Sequence, residues 1–299
     1  MQYPATELVL NKEGKVYHLN LAPGDVSEKI ILVGDQDRVH LIAEFFDTVE
    51  HSSQHREFVC KTGTYNGKRI SAISTGIGTD NIDIVINELD AIFNIDLTNR
   101  CDKSNFQKLD LVRIGTCGIL QPDIAIHSYI LSTHALGLDN IAHFYNLEMT
   151  ASEQAINTAI CNQIDLPNNI IPYTVESSKE LFQSLSSEET VEGITITSSG
   201  FYGPQGRQLR LKTRTTELNE KITDFKFDAK RITNFEMESS ALFAIGKGLG
   251  HQCATICLGI ANRPKKDFSP GYTADMKNLI KYVILQYRFP NKIQKKLYI

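Results

Sequence analysis

The chain has no C-x-x-C pair: its cysteines, Cys60, Cys101, Cys117, Cys161, Cys253 and Cys257, are scattered along 299 residues. That spacing suggests neither a disulfide framework nor a zinc site, and it fits reduced thiols in the cytoplasm. No apolar run approaches the ~20 residues that a membrane-spanning helix requires. The first residues, Met1 to Glu7, lack the basic and apolar blocks of a signal peptide, so the expected compartment is cytoplasmic. Neither sign of charge dominates. A net charge of -4 and a pI near 6.1 argue against a general binder of nucleic acid or membrane surfaces. A small anion can still be held by a few arginines and backbone amides. Internal repeats, low-complexity tracts and linkers are missing as well.

What remains is the composition of a soluble globular protein, 41% hydrophobic and 22% charged, long enough to bury a large core. Strand-like and helix-like runs alternate throughout. The economical expectation is one α/β domain over residues 1–299 with a largely parallel or mixed central sheet.

The stretch Asn234-Phe235-Glu236-Met237-Glu238-Ser239-Ser240 organises the rest. If it is extended, the period of two puts both carboxylates on one face; if the helix that follows has begun, they sit near its positive end. First-turn acids before a helix are common, and that is the plain structural alternative. A carboxylate beside a thioether also suits a sugar, whose vicinal diol donates to the acid while sulfur packs on the ring.

In chain order, residues 1–28 are polar and turn-rich. Lys29 to Val33 predicts a strand that stops at Gly34 and passes through Asp35-Gln36-Asp37-Arg38 into a helix over 39–46. Backbone N–H groups, a helix start and Arg38 make that loop a natural anion site. Glu57–Tyr65 and Arg69–Ser74 predict a hairpin around Asn66-Gly67-Lys68. Thr75-Gly76-Ile77-Gly78-Thr79-Asp80-Asn81 then leads into a helix over 82–92. The third glycine of a dinucleotide fingerprint would fall on Asn81, which weakens a nicotinamide-cofactor reading.

Residues 93–107 look like a surface loop. Leu109 to Ile114 predicts a buried strand, followed by Gly115-Thr116-Cys117-Gly118. Arg113 inside that strand needs an anion, either an internal carboxylate or an oxyanion ligand. His127 reads as structural. The region 136–200 is the least legible, with one helix predicted over 153–160. Ile194 to Gly200 predicts a strand that opens into Phe201-Tyr202-Gly203-Pro204-Gln205-Gly206-Arg207. Its aromatic, amide and guanidinium groups suit a flat heterocycle, though an ordinary surface turn would also carry them. A buried strand over 254–260 precedes Ala261-Asn262-Arg263, and a helix over Thr273–Tyr287 closes the domain.

Together the pieces at 16–21, 34–38, 55–58, 74–78, 113–118, 201–207 and 235–239 resemble the nucleoside phosphorylase superfamily, most closely its uridine phosphorylase branch. The resemblance covers nearly the whole chain and implies a three-layer α/β/α domain with a central mixed sheet. It implies a pentosyltransferase in which inorganic phosphate attacks the anomeric carbon of a nucleoside, with no cofactor. Carried onto this chain, Gly34, Arg38, Arg113 and Thr116 are the expected phosphate site, with Arg56 reaching a neighbouring subunit's phosphate. Glu236, Met237 and Glu238 are the expected ribose site, with His18 lent by the adjacent subunit. Phe201, Gln205 and Arg207 are the expected base site, lined by Ile260 and Ala261. The implied partners are a small nucleoside and phosphate in a homodimer or a hexameric trimer of dimers. Glu57 and Ser74 stand where some relatives hold a monovalent cation.

Purine-specific relatives carry an aspartate where this chain has Asn262, and the Gln205/Arg207 pair points to uracil. Gly203-Pro204 inverts the expected Pro-Gly, and Cys117 replaces a common threonine. The alternatives are another nucleoside phosphorylase, a nucleosidase of the same fold that uses water, or a non-catalytic nucleoside-binding relative.

Overall fold

The computed structural model describes residues 2–286. Strand β1 (Lys29–Val33) turns Ile30 and Leu32 to one side and Ile31 and Val33 to the other, and all four are fully buried. A strand buried on both faces belongs to the interior of a covered sheet. Helix α1 (Gln36–Ala43), the strands β2 (Thr48–His55), β3 (Phe58–Tyr65) and β4 (Lys68–Ser74), and helix α2 (Thr79–Asn94) follow. A small hairpin of β5 (Ile95–Asp96) and β6 (Cys101–Asp102) leads to β7 (Asp110–Ile119) and β8 (Tyr129–Gly137). Next come a 3-10 turn (Ile141–Phe144), α3 (Ala151–Gln163), β9 (Tyr173–Glu176), α4 (Lys179–Leu185) and β10 (Thr190–Thr197). The remainder is α5 (Leu218–Asp224), β11 (Lys226–Phe227), β12 (Lys230–Glu236), α6 (Ser239–Gly248), β13 (Gln252–Asn262), β14 (Asp267–Phe268) and α7 (Thr273–Gln286).

The main sheet runs β11-β12-β10-β8-β13-β7-β1-β4-β3-β2 and is mixed. Pairs β4–β1, β1–β7, β7–β13, β8–β10 and β10–β12 are parallel, while β2–β3, β3–β4 and β8–β13 are antiparallel. One further antiparallel pairing joins β12 back to β7, with Asn234 opposite Ile119 and Phe235 opposite Gly118. This contact closes half of the sheet on itself and brings the end of β12 over the glycines of β7. Helices α2 and α6 with the buried residues of 8–26 cover one face, and α1, α4 and α7 cover the other. A third cluster packs α3 and α5 beside β10 and β12. The expected three-layer α/β/α domain with a mixed sheet is therefore present.

Several boundaries differ from the sequence expectation, each for a physical reason. Helix α1 starts at Gln36 because Asp35 caps it by accepting from Asp37 N–H, so Arg38 lies in its first turn. Strand β7 continues through Gly115 and Gly118 because β13 pairs with it along that length. Strand β2 went unread: its residues, Thr-Val-Glu-His-Ser-Ser-Gln-His, lack an apolar alternation because it is an edge strand, exposed or half-buried throughout. Besides α3, whose start is fixed by a Thr150/Glu153 capping box, the 136–200 region holds the 3-10 turn, β9, α4 and β10. The expected final residue of the last helix, Tyr287, lies outside the described residues.

Candidate active site

The closure of β12 onto β7 creates a cavity of about 210 Å³. Its walls come from chain segments far apart in sequence: the turn after β1, the glycine loop before α2, β7, the loop after β10, the β12–α6 junction, and the end of β13.

At its floor Arg113, on β7, meets both acids of the β12–α6 junction. The Glu236 carboxylate is 3.2 Å from Arg113 Nη1, and Glu238 accepts a short hydrogen bond from Arg113 Nη2. All three side chains are at most 5% exposed. Burial alone would lower the Arg113 pKa, but the charges of Glu238 and Glu236 hold it above the usual arginine value. Glu238 moves upward as well, because burial penalises its charge and Glu236 repels it, more than Arg113 offsets. Two carboxylates around one guanidinium leave a net negative pocket floor, and so the proton is held more tightly on Glu238. Neither conformation considered for Glu236–Glu238 applies to the whole stretch: the strand ends at Glu236 and Glu238 is the N-cap residue of α6. Both carboxylates nevertheless face Arg113. Met237, half-buried between them, lines the cavity.

One end of the cavity gathers groups that suit an anion. Gly34 and Gly76 approach so closely that a Cβ on Gly34 would lie 3.3 Å from the Gly76 carbonyl. Gly76 and Gly78 adopt φ of 72° and 102°, a backbone region that favours glycine. Arg38 Nη1 donates to the Ile114 carbonyl at 3.2 Å, which fixes its guanidinium beside Arg113. Burial and then the Arg113 charge lower the Arg38 pKa, which marks a place that would gain from a bound anion. Thr116 presents its half-buried side chain to the same space.

The opposite end is carried on loops. Gln205 is buried and accepts a short hydrogen bond from Arg207 Nη1, and its amide nitrogen has no partner among the described residues. Arg207 also donates to the Phe201 carbonyl at 2.6 Å and stacks 3.8 Å over the Phe201 ring. Burial and the nearby Arg263 push the Arg207 pKa down to about 10. Ile260 and Ala261 line the wall, and Phe268 of β14 lies across from Ala261 at the mouth. The Gly203-Pro204 inversion is accommodated in a 3-10 turn that ends at Gly206, φ 67°, where a Cβ would strike the Asn219 amide 2.5 Å away. Gln205 still reaches the cavity.

Of the expected site residues, His18 and Arg56 alone do not line the cavity. His18 Nδ1 is 2.7 Å from Glu88 of α2, and its carbonyl accepts from His55 Nδ1 at 2.7 Å. Arg56 lies over the Tyr17 ring at 5.4 Å. The two thus share one surface patch of the chain, outside its cavity. Ser74 Oγ donates to the Glu57 carbonyl and accepts from Val59 N–H, both at 2.7 Å, which ties that pair into the β3–β4 ladder.

Sequence reasoning missed Ile77, Phe235, Phe268 and Gly118 as wall residues, since each is a commonplace residue until the sheet closes. It also passed over Arg263, whose side chain lies 3.5 Å from the place of a Gly118 Cβ, close to Arg207. Arg263 Nη1 is buried with no partner among the described residues, and burial lowers the pKa of the group. The signal available was an arginine directly after a buried strand end.

Residues 28–284 match the family model of the phosphorylase superfamily. The chain belongs to the phosphorylase superfamily. Within it, the chain is 30% identical over 267 residues to a uridine phosphorylase of Thermococcus kodakarensis, covering 89% of this chain and 84% of that protein. It is 26% identical over 246 residues to a DeoD-type purine nucleoside phosphorylase of Oceanobacillus iheyensis, covering 80% and 84%. A crystal structure of a Trypanosoma brucei nucleoside phosphorylase described as showing uridine phosphorylase activity superposes with a TM-score of 0.87. It is 29% identical and is covered to 99%, with 94% of this chain. In this superfamily member, Asn262 is buried with its amide donating to the Gln121 and Ile124 carbonyls at 3.0 and 2.8 Å, and accepting from Lys265 N–H at 3.0 Å.

Proposed function

We propose that this protein is a uridine phosphorylase, converting uridine and phosphate reversibly to uracil and ribose 1-phosphate. One observation carries the reading: a single cavity orders an anion end, a buried carboxylate stretch and a heterocycle end in the sequence in which phosphate, ribose and base follow one another. Phosphate lies against Arg38, Arg113, Thr116 and the Gly34 backbone. The sugar rests on Glu236-Met237-Glu238, and the base lies between Phe201, Gln205, Arg207, Ile260 and Ala261.

The chemistry follows from charge. As the bond from C1′ to N1 breaks, positive charge develops on the ribose and negative charge on the base. Phosphate and Glu238 stabilise the first, and the Arg207 and Gln205 donors stabilise the second as its carbonyls become more basic. Phosphate attacks C1′ while the base leaves with the bonding pair, so neither a covalent enzyme intermediate nor a cofactor is invoked. Asn262 favours a pyrimidine: an amide is no acid for a purine N7, and its polar atoms are already bound to backbone. The separate patch of His18 and Arg56 supports a homo-oligomer in which each site is completed by a second subunit. Six free cysteines suit a reducing, cytoplasmic setting. A panel of nucleosides, assayed for free base with and without phosphate, tests the proposal. Uridine should be cleaved only with phosphate; equal turnover in phosphate-free buffer would sink it in favour of a nucleosidase.

A further inference from the structure

Glu236 and Glu238 carry unequal loads of hydrogen bonds. Glu236 accepts from Thr197 Oγ1 at 2.5 Å, Glu238 N–H at 2.9 Å and Ser239 N–H at 3.0 Å, and pairs with Arg113. Those donors fill the roughly four lone-pair directions of a carboxylate. Among the described residues Glu238 accepts from Gly78 N–H, at 2.8 Å, and from Arg113, with the Met237 N–H also turned towards its charge, and so carries a lighter load than Glu236. A sugar hydroxyl entering the cavity therefore finds a vacant acceptor on Glu238 and none on Glu236.

The load on Glu236 is set from behind. Thr197, the last residue of β10, has one hydroxyl proton, which goes to Glu236, and it accepts from Ser240 N–H at 2.9 Å. Ser240 Oγ donates to Asp139 at 2.6 Å. Asp139, 7% exposed, is held in turn by the Tyr173 hydroxyl at 2.7 Å and Ile141 N–H at 2.9 Å. A buried carboxylate outside the cavity is thus joined to the one inside it by three consecutive hydrogen bonds.

We propose that Thr197, Ser240 and Asp139 are positioning residues for the reaction: they lock Glu236 as the counter-ion of Arg113 and so reserve Glu238 for the ribose 2′-hydroxyl. The inference rests on the uridine phosphorylase reading and divides the roles within its ribose site. A bland helix-capping role would use the same hydrogen bonds, so the test must separate the two.

Thr197→Val removes the hydroxyl at nearly constant shape, and Thr197→Ser keeps it. The readout is kcat/KM for uridine and for 2′-deoxyuridine, which lacks the hydroxyl at issue. The valine variant should lose about 10- to 100-fold on uridine, as when a buried charged acceptor loses its donor. It should lose far less on 2′-deoxyuridine, and the serine variant should recover the ratio. Ser240→Ala and Asp139→Asn should shift the ratio in the same direction by less, and they serve if the valine variant folds poorly. An unchanged ratio, with or without an equal loss on both substrates, overturns the proposal in favour of capping. A crystal structure of the valine variant decides independently of activity: Glu236 still seated on Arg113 and Ser239 N–H overturns it, and a displaced Glu236 supports it. A wild-type enzyme that fails to cleave uridine with phosphate would instead remove the functional reading, and the crystallographic outcome would still stand.

Discussion

At one end of the cavity Arg113 is clasped by two buried carboxylates; at the other, Arg207 and Arg263 lie close together beside Gly118 with no carboxylate partner among the described residues. The residues of the first end sit on β7 and at the β12–α6 junction, and their polar groups are nearly all matched. Those of the second sit mostly on the loops after β10 and β13, beside the exposed rings of Phe201 and Phe268. The guanidinium at the first end is already matched by the protein's own carboxylates before any ligand arrives. In the proposed reaction, charge at the second end meets a leaving group that becomes anionic only as the bond breaks. A group matched in the transition state and unmatched before it is how a site raises rate without tightening ground-state binding.

The sharpest way to break that contrast is to make one substitution at both ends. Arg113→Ala strands Glu236 and Glu238 without their cation. Removing one partner of a buried ion pair typically costs about 3–5 kcal/mol of stability. Urea unfolding should show a loss of that order, with activity abolished; a loss below about 1 kcal/mol would mean that the carboxylates find other compensation. Arg207→Ala removes a cation with no carboxylate to strand. Its stability should stay within about 1 kcal/mol of wild type. Its kcat on uridine should fall about 100- to 1,000-fold, the usual effect of losing one preorganised donor to developing charge. Near-normal kinetics would take Arg207 out of the base site.

A third test concerns the residues that neither end contains. If His18 and Arg56 serve a neighbouring subunit, His18→Ala and Arg56→Ala are each expected to be inactive. Either variant, mixed and reassembled with Arg207→Ala, should regain part of the activity, because one site of a mixed pair then carries neither lesion. No recovery under conditions that exchange subunits would place His18 and Arg56 in the site of their own chain.

The contrast between the ends also governs what could be read beforehand. The first strand and the hairpin turn at Asn66-Gly67 were legible because burial and turn chemistry leave local marks, a run of β-branched residues and two positive φ angles. Arg113 was legible as a residue in need of an anion, and both candidate partners stood in the sequence. That its internal partners are Glu236 and Glu238 was not, since their meeting depends on the β7–β12 closure between segments more than a hundred residues apart. Strand β2 left no mark because an edge strand has no second apolar face. Arg263 was passed over because its meaning comes from the empty side of Gly118, which no spacing reveals.

The smallest effect, and the most diagnostic of charge at the floor, is pH dependence. Glu238 has a folded pKa raised by burial and by Glu236, so it takes up its proton above the ordinary carboxylate range of about 4.3. Falling pH should therefore cut kcat/KM for uridine with a midpoint above that range, as Glu238 loses the charge that steadies the ribose cation. Stability should respond with the opposite sign. For an acid whose folded pKa is raised, the favourable contribution is complete below the unfolded pKa and is lost as pH rises through the folded one. Acidification across this window thus weakens activity without weakening the fold through this group. Glu236→Gln removes the repelling charge, so it should move the acid limb to lower pH in the variant's own profile. A limb that stays in place would assign the titration to some other group and leave Glu238 ionised throughout.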